Sequence, residues 1–251
     1  MTPNYKISAF LLIIFFGSFV NSQSQEIRID HIISVVSNLD QAVDRFSTKG
    51  FSIKKGKLHS NGLINDHIKF ENNSSLELMS IEGESIDLMA KEYKSLLKNG
   101  DGGVYLAMTG LKNDSIESIL TKLNMEYIVS KGKQWNYITF PNNSDLAHIF
   151  FIDYHFDQTH FKDVLTHKNG FEKINNVFIE GNEGVIDFLK SIGLQYSGII
   201  SDSEFGIGTE FLTKTGNIIV IPTKKSKNRP RIKMITFGKM DNTKTLRLTL
   251  E

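Results

Sequence analysis

Ile27-Arg28-Ile29-Asp30-His31-Ile32-Ile33-Ser34-Val35-Val36, then Asn38-Leu39-Asp40-Gln41-Ala42-Val43-Asp44-Arg45-Phe46, then Gly50-Phe51-Ser52-Ile53, is the stretch whose reading decides the fold. Its first part concentrates β-branched residues and reads as a strand. Its second places Leu39, Ala42, Val43 and Phe46 at i, i+3, i+4 and i+7, the apolar stripe of an amphipathic helix. Asn38 can cap the start of that helix, and Gly50 can close it in the left-handed conformation. Phe51-Ser52-Ile53 opens another strand, and Ile64–Glu71 and Ser75–Ile81 supply two more across the turn-forming Asn72-Asn73. The order is β-α-β-β-β.

The same order returns twice. Val104–Met108 reads as a strand, and Ile116, Ile119, Leu120 and Leu123 repeat the helical offsets behind Asp114 or Ser115 as cap. Asn124 ends that helix, Tyr127–Val129 starts a strand, and Trp135–Phe140 and Ala147–Ile152 complete the set. In the third copy the strand is Asn176–Ile179, the stripe is Val185, Phe188, Leu189 and Ile192, and Gly193 is the stop. Tyr196–Ile200, Gly208–Thr213 and Asn217–Pro222 are its later strands. The stripes start at Leu39, Ile116 and Val185, 77 and 69 residues apart, as a repeated unit with one insertion would give. The insertion reads as a helix with Ile86, Met89, Ala90, Tyr93, Leu96 and Leu97 on one face, stopped by the glycines after Asn99. Ile232–Phe237 and Thr245–Leu250 read as two last strands. The fold class expected is therefore α+β, with repeated βαβββ modules pairing into a curved mixed sheet around a cavity.

Composition bounds what such a chain does. Its 251 residues suffice for one large domain or two small ones, and 40% hydrophobic residues can bury a core. Basic and acidic side chains number 29 and 28, so no overall field draws the protein to nucleic acid or to an anionic membrane. The absence of cysteine excludes disulfides, thiolate zinc sites, iron–sulfur clusters and cysteine nucleophiles. Ile7 to Val20 is almost wholly apolar, short for a membrane span and suited to a signal-peptide core, with an uncleaved N-terminal anchor of the same design as the alternative. Residues 1–22 are thus expected to be a signal peptide, with the membrane met only during export to the periplasm or exterior. The expected units are residues 27–155, two paired modules, and 173–251, a third module with the C-terminal strands. Those strands or a second copy of the chain, in a homodimer, complete module three.

Asp30-His31-Ile32-Ile33, Asn38-Leu39-Asp40-Gln41-Ala42 and Gly50-Phe51 together resemble the opening of vicinal oxygen chelate proteins. Leu76-Glu77-Leu78 resembles the fourth-strand motif of that superfamily. His59 with Gly62 and Asn65, and His167-Lys168-Asn169-Gly170, are similar to elements of its glyoxalase-like subgroup. The resemblance is best over residues 27–82, weaker over 103–180, and rests on pattern alone beyond. It implies a divalent metal, Mn, Fe, Ni, Zn or Co, held by residues of the first and fourth strands of paired modules, where it polarises adjacent substrate oxygens. Carried over, His31 and Glu77 fall on the ligand positions of module one, with Glu77 also the catalytic carboxylate. Module two offers no His, Gln or Glu on its first strand, and His148 or Asp153 on its last. His148 is the third ligand this reading puts forward.

Asn65 and His67 differ by two and share a strand face, with Asp66 opposite, so with His59 they make a candidate substrate wall. The alternative for each is a loop contact or a solvated strand edge. His155, Asp157 and His160 form another acidic and imidazole cluster, without a recognised metal spacing. Phe205-Gly206-Ile207-Gly208 lacks the helix and third glycine of a dinucleotide fingerprint. The basic run from Lys224 to Arg231 reads as a linker. Three functions follow in order. The first is a metal-dependent lyase, isomerase or dioxygenase acting on a small oxygenated molecule. The second is a protein that binds such a ligand without turnover, and the third is an interaction module with a filled cavity.

Overall fold

The computed structural model describes residues 27–157, 162–223 and 231–250. The expected signal segment, most of the basic run and His160 lie outside them. The elements, in chain order, are β1 (Arg28–Val35), α1 (Leu39–Thr48), β2 (Lys54–Leu58), β3 (Leu63–Lys69), β4 (Ser75–Ile81) and α2 (Leu88–Leu97). Module two follows as β5 (Gly102–Thr109), α3 (Asn113–Lys122), β6 (Ile128–Lys131), β7 (Trp135–Thr139) and β8 (Ile149–Tyr154). A short α4 (Lys162–Leu165) leads to β9 (Lys173–Gly181), α5 (Glu183–Ser191), β10 (Gln195–Asp202), β11 (Gly206–Leu212) and β12 (Asn217–Pro222). Then come β13 (Ile232–Gly238) and β14 (Thr245–Thr249). The three βαβββ modules are present in the expected order.

In every module the first strand pairs parallel with the fourth, β1 with β4, β5 with β8, and β9 with β12. Modules then join antiparallel through their first strands. β1 lies beside β5, and β9 beside β13. The C-terminal pair β13–β14 thus stands where a fourth module would begin and covers the β9 edge from within the chain. The two halves of the sheet meet at one residue pair, Ile232 with Gly103.

Gly103 is required by that meeting. A Cβ there would lie 2.7 Å from both Cβ and O of Ile232 and 2.8 Å from Leu250 Cδ1. Gly103→Ala is therefore expected to cost about 2 kcal/mol through overpacking. A chemical-denaturation midpoint unchanged by the substitution would show that the junction has slack.

Helices α1, α3 and α5 bury their stripes against one side of the sheet, here the outer face. One core runs there from Ile27 to Leu250, through Phe46, Ile116, Phe151, Phe188 and Phe237. The cap of α1 is the expected one, Asn38 accepting from Gln41 N, and α5 is capped likewise by Asn182, which accepts from Val185 N. At α3 the expected cap is absent. The helix starts at Asn113 behind Lys112, which gives no side-chain cap bond. The distant Asp153 carboxylate reaches the Asn113 N–H instead, at 3.5 Å, which displaces Asp114 and Ser115 from the role expected of them.

The inserted α2 lies on the other, inner face. Ala90 and Tyr93 pack there with Ile33, Val35, Leu63 and Met79. Asp87 caps it by accepting from Ala90 N at 2.8 Å. Among the described residues, no helix is long and apolar enough to cross a membrane.

Candidate acid–base site

The inner face of module one gathers its polar residues around an irregularity in β1. Against β5 the register slips between Ile29 and His31, so Asp30 is an extra residue in β1. An extra residue re-aims the side chains around it. Ile29 and Ile32, three apart, both reach the outer core. Asp30 and His31, between them, turn toward each other on the inner side. His31 Nδ1 donates to Asp30 Oδ2 at 2.6 Å, and the Tyr154 hydroxyl donates to the same oxygen at 2.9 Å.

The other imidazole nitrogen, Nε2, lies 3.6 Å from Glu77 Oε2. That is too long for a hydrogen bond and leaves the two groups facing across a gap. Glu77 is steadied from behind by Asn65, whose Nδ2 donates to Oε1 at 2.6 Å. The same amide nitrogen lies 3.2 Å from His67 Nε2, which as acceptor carries no proton. Lys57 N donates to Asn65 Oδ1 at 3.1 Å and fixes the amide's orientation. The chain Tyr154–Asp30–His31, facing Glu77–Asn65–His67, is continuous save for the gap between His31 and Glu77.

Charge in this row is set by partners against burial. Burial disfavours the imidazolium of His31, but the short bond and charge of Asp30, with the charge of Glu77, outweigh it and hold the pKa above its ordinary value. Burial likewise pushes the Asp30 carboxyl up. The bond and charge of His31, with the Tyr154 bond, outweigh it and hold Asp30 below its ordinary value. His67 lacks such a partner, and burial lowers its pKa to about 4. It is neutral at pH 7. A histidine whose imidazolium is favoured and an uncharged His67 thus flank one glutamate.

Aromatic rings close the site. Phe150 meets the His31 ring edge-on at 5.6 Å between centroids. Tyr93, brought over by α2, lies 5.7 Å from Tyr105, whose hydroxyl donates to Glu92 at 2.6 Å. Burial lifts the Tyr93 phenol far above its ordinary value, with Glu77 the leading charged contributor. Burial and the charges of Glu77 and Asp30 push Tyr137 up to about 12. All three phenols are therefore kept protonated, as donors.

Module two presents no counterpart ligands. Tyr105 holds in β5 the fourth of eight positions, as His31 does in β1. Glu77 pairs with Ile33, two residues after His31; Phe150 pairs with Ala107, two residues after Tyr105. Tyrosine and phenylalanine thus stand at the symmetry-related places. His148 is buried two residues before Phe150, and its charged neighbours are Arg231 and Asp145. Burial lowers its pKa to about 3, and its Nε2 has no hydrogen-bond partner. It does not assemble with His31 and Glu77. Among the described residues, no three His, Asp or Glu side chains form a group able to hold a metal ion. The expected set of His31, Glu77 and His148 therefore does not fit a divalent metal centre, because the described residues supply two donors of that set at one point and aromatic rings at the symmetry-related places.

The remaining candidates separate cleanly. Asn65 and His67 join the site, with Asp66 turned away onto Lys55 Nζ at 2.8 Å. His59 belongs to the turn before β3, where its backbone N–H donates to Leu63 O. His155 is exposed, with Nδ1 3.2 Å from Lys133 O, and Asp153 pairs with Lys112. His167 is a structural clamp. Its Nδ1 accepts from Ser52 N at 3.0 Å, Asn169 Nδ2 donates to Lys49 O, and Gly170 takes the expected positive φ of 73°. Asp30, Tyr93, Tyr105, Tyr137 and Tyr154 were not singled out by the sequence. The two-then-three spacing of Ile27, Ile29 and Ile32 carried the signal for the first of them.

A family model described as a glyoxalase-like domain matches residues 29–185, from β1 into α5. A search of curated proteins finds no match. A hypothetical protein from Staphylococcus aureus has a similar fold, with TM-score 0.58 and 15% identity over 80% of this chain and 88% of that one. So does an extradiol ring-cleaving dioxygenase from B. fuscum, with TM-score 0.55 and 13% identity over 86% of this chain and 58% of its own. A xylose isomerase-like TIM barrel/4-hydroxyphenylpyruvate dioxygenase fusion protein gives TM-score 0.55 and 10% identity over 84% of this chain and 36% of its own. The chain therefore spans less than two thirds of either of these two chains, and at these identities the likeness is one of fold. With more than half its length matched by the family model, the chain belongs to the glyoxalase-like domain family, in the vicinal oxygen chelate superfamily.

Proposed function

We propose that the protein is an enzyme that moves a proton on a small oxygenated molecule, as an isomerase or lyase, at the His31–Glu77 pair. The observation that carries this reading is the 3.6 Å gap between a proton-bearing imidazole and a carboxylate, each anchored from behind. Glu77 Oε2 takes the proton from a carbon beside a carbonyl, while His31 Nε2–H gives its proton to the carbonyl oxygen. The product of that step is the neutral enol. Where the enol is an enediol, Glu77 gives its proton to the neighbouring carbon while His31 Nε2 takes back the proton of the other hydroxyl, which yields an isomer; where a leaving group stands on that carbon, it departs with the Glu77 proton as the enol O–H returns to His31, which yields a lyase product. Asp30 holds the imidazole in its orientation and stabilises its charge, and the phenols of Tyr93 and Tyr137 can donate to a substrate oxygen. The apolar run of residues 7–20 supports an address outside the cytoplasm for this activity.

The test is exchange of carbon-bound hydrogen for deuterium in D2O, followed by proton NMR over a panel of small 2-hydroxy and 2-oxo compounds. Wild-type protein is expected to exchange at least one of them. His31→Asn and Glu77→Gln should each slow it by about 10²–10⁴-fold, the usual worth of a positioned acid or base. Exchange unaffected by both substitutions rejects the assignment. Exchange that requires added Mn, Fe, Ni, Zn or Co reassigns the pair as ligands. The ring-lined wall of Tyr105, Tyr137 and Phe150 favours a second reading, binding without turnover. It is met by saturable binding of a panel member that undergoes no exchange.

A further inference from the structure

The acid–base row ends on a cation the reaction leaves unused. In β3, residues Asn65, His67 and Lys69 share the inner face by strand alternation. Lys69 pairs with Ser75, and Ser75 pairs with His31, so lysine and histidine stand in one cross-strand row, two strands apart. At the usual strand spacing that is about 10 Å between backbones, within the span of the two side chains reaching toward one ligand.

Lys69 is half-buried, yet among the described residues its ammonium forms no hydrogen bond or ion pair. The nearest carboxylates are committed elsewhere, Asp30 to His31 and Tyr154, and Glu77 to Asn65. A second unpaired ammonium stands beside it. Lys54 lies on β2 opposite His67, is exposed, and likewise has no ion-pair partner among the described residues. Lys55, the next residue, behaves in the ordinary way, facing the opposite side and bonding Asp66. Burial and the charge of Lys54 together hold the Lys69 pKa below its usual range, as two like charges without a counter-ion should. Leaving an ammonium half out of water with no partner costs free energy that an anion between the two lysines would recover.

We propose that Lys69, with Lys54 beside it, holds an oxyanion of the molecule on which His31 and Glu77 act, which makes small carboxylates the substrate class. The assignment of the class rests on the acid–base reading of the site, whereas the anion binding does not. A carboxylate held at Lys69 would direct its neighbouring carbon across the sheet toward Glu77, two residues beyond Ser75 on β4, and its carbonyl or hydroxyl oxygen toward His31. Anchor, base and acid would then stand on three neighbouring strands, Lys69 on β3, Glu77 on β4 and His31 on β1.

Isothermal titration of the full chain tests this with pyruvate and lactate, each against a neutral analogue, hydroxyacetone and propane-1,2-diol. Carboxylates should bind at least tenfold more tightly, and the preference should shrink as salt rises. Lys69→Met should abolish the preference, Lys54→Met should reduce it several-fold, and Lys69→Arg should retain part of it. Lys122→Met, on the outer face, is the control and should change nothing. Equal affinity for carboxylates and neutral analogues overturns the proposal, as does a preference that survives both Lys69→Met and Lys54→Met. Lys54 is exposed, so its variant reports even if Lys69→Met fails to fold. Inorganic phosphate, titrated in parallel, should compete with pyruvate; failure to compete places the carboxylate elsewhere and also overturns the assignment. His31→Asn should keep the preference while losing exchange, so a failed reaction and a failed anchor give different results.

Discussion

Phe237→Ala is expected to lower the melting temperature by about 10 °C while leaving a single transition. Phe237 lies in β13, in the C-terminal half of the sheet, and its backbone pairs with Ile174 of β9. Its fully buried ring, however, sits among residues of module one. The centroid is 4.9 Å from Phe51 and 5.5 Å from Phe70, with Phe171 completing the cluster at 6.4 Å. His167 packs edge-on to Phe51 and Phe70 from the connecting segment. Truncating such a ring typically costs about 4 kcal/mol, the lost transfer energy plus the cavity left behind. For a chain of this size each kcal/mol moves the melting temperature by about 2–4 °C. Because the ring links the two halves of the sheet, both should unfold together in wild type and variant alike. Differential scanning calorimetry decides. Two resolved transitions in the variant would show that residues 173–250 fold as a unit separable from modules one and two.

That cluster also shows what the sequence can and cannot say. The three modules are legible because each signals twice, by strand alternation and by the helix stripe, and the positive-φ stops at Gly50, Asn124 and Gly193 stand where their helices end. What the stripe leaves open is the surface it packs against. The stripe of α2 signals a helix as that of α1 does, yet α2 covers the inner face, leaves Ile86 and Met89 exposed and delivers Tyr93 to the site. His31 and Glu77 were legible through their family positions and do face each other. The third position was not, because it depends on register rather than composition. β8 runs Ile149–Tyr154, beginning and ending two residues later than the apolar run suggests, and in this frame Phe150 rather than a ligand holds the place in module two that Glu77 holds in module one. His148 is the nearest imidazole in sequence and is in fact a neutral core residue. Lys69 escaped notice for a different reason. A lysine on a strand edge is ordinary, and only its pairing row and the commitments of its neighbours set it apart.

Acidification is expected to destabilise the protein well above the carboxylate range, with melting temperature falling by about 10 °C between pH 7 and pH 5. Burial depresses His148 to about 3 and His67 to about 4 from an ordinary 6.5, and it lowers His167 too. A histidine depressed on folding binds its proton more readily in the unfolded chain. Stability is therefore lost as pH falls below 6.5, and the loss continues down to the folded pKa. At about 1.4 kcal/mol per unit, His148 and His67 each contribute about 2 kcal/mol of loss by pH 5. His31 acts with the opposite sign. Its raised pKa gives stability that is complete below 6.5 and fades as pH rises through the folded value, so it cannot offset the loss in the acid window. Asp30, held low, withdraws its contribution only as pH falls below 4, through its own folded pKa. His148→Leu separates these contributions, since it removes one buried imidazole far from the acid–base row and leaves His67 in place. Relative to wild type, the variant should gain about 4–8 °C at pH 5 compared with pH 7. Parallel melting curves for the two proteins across that range would show that His148 is protonated freely in the folded state, and that its burial does not set the acid limit of the fold.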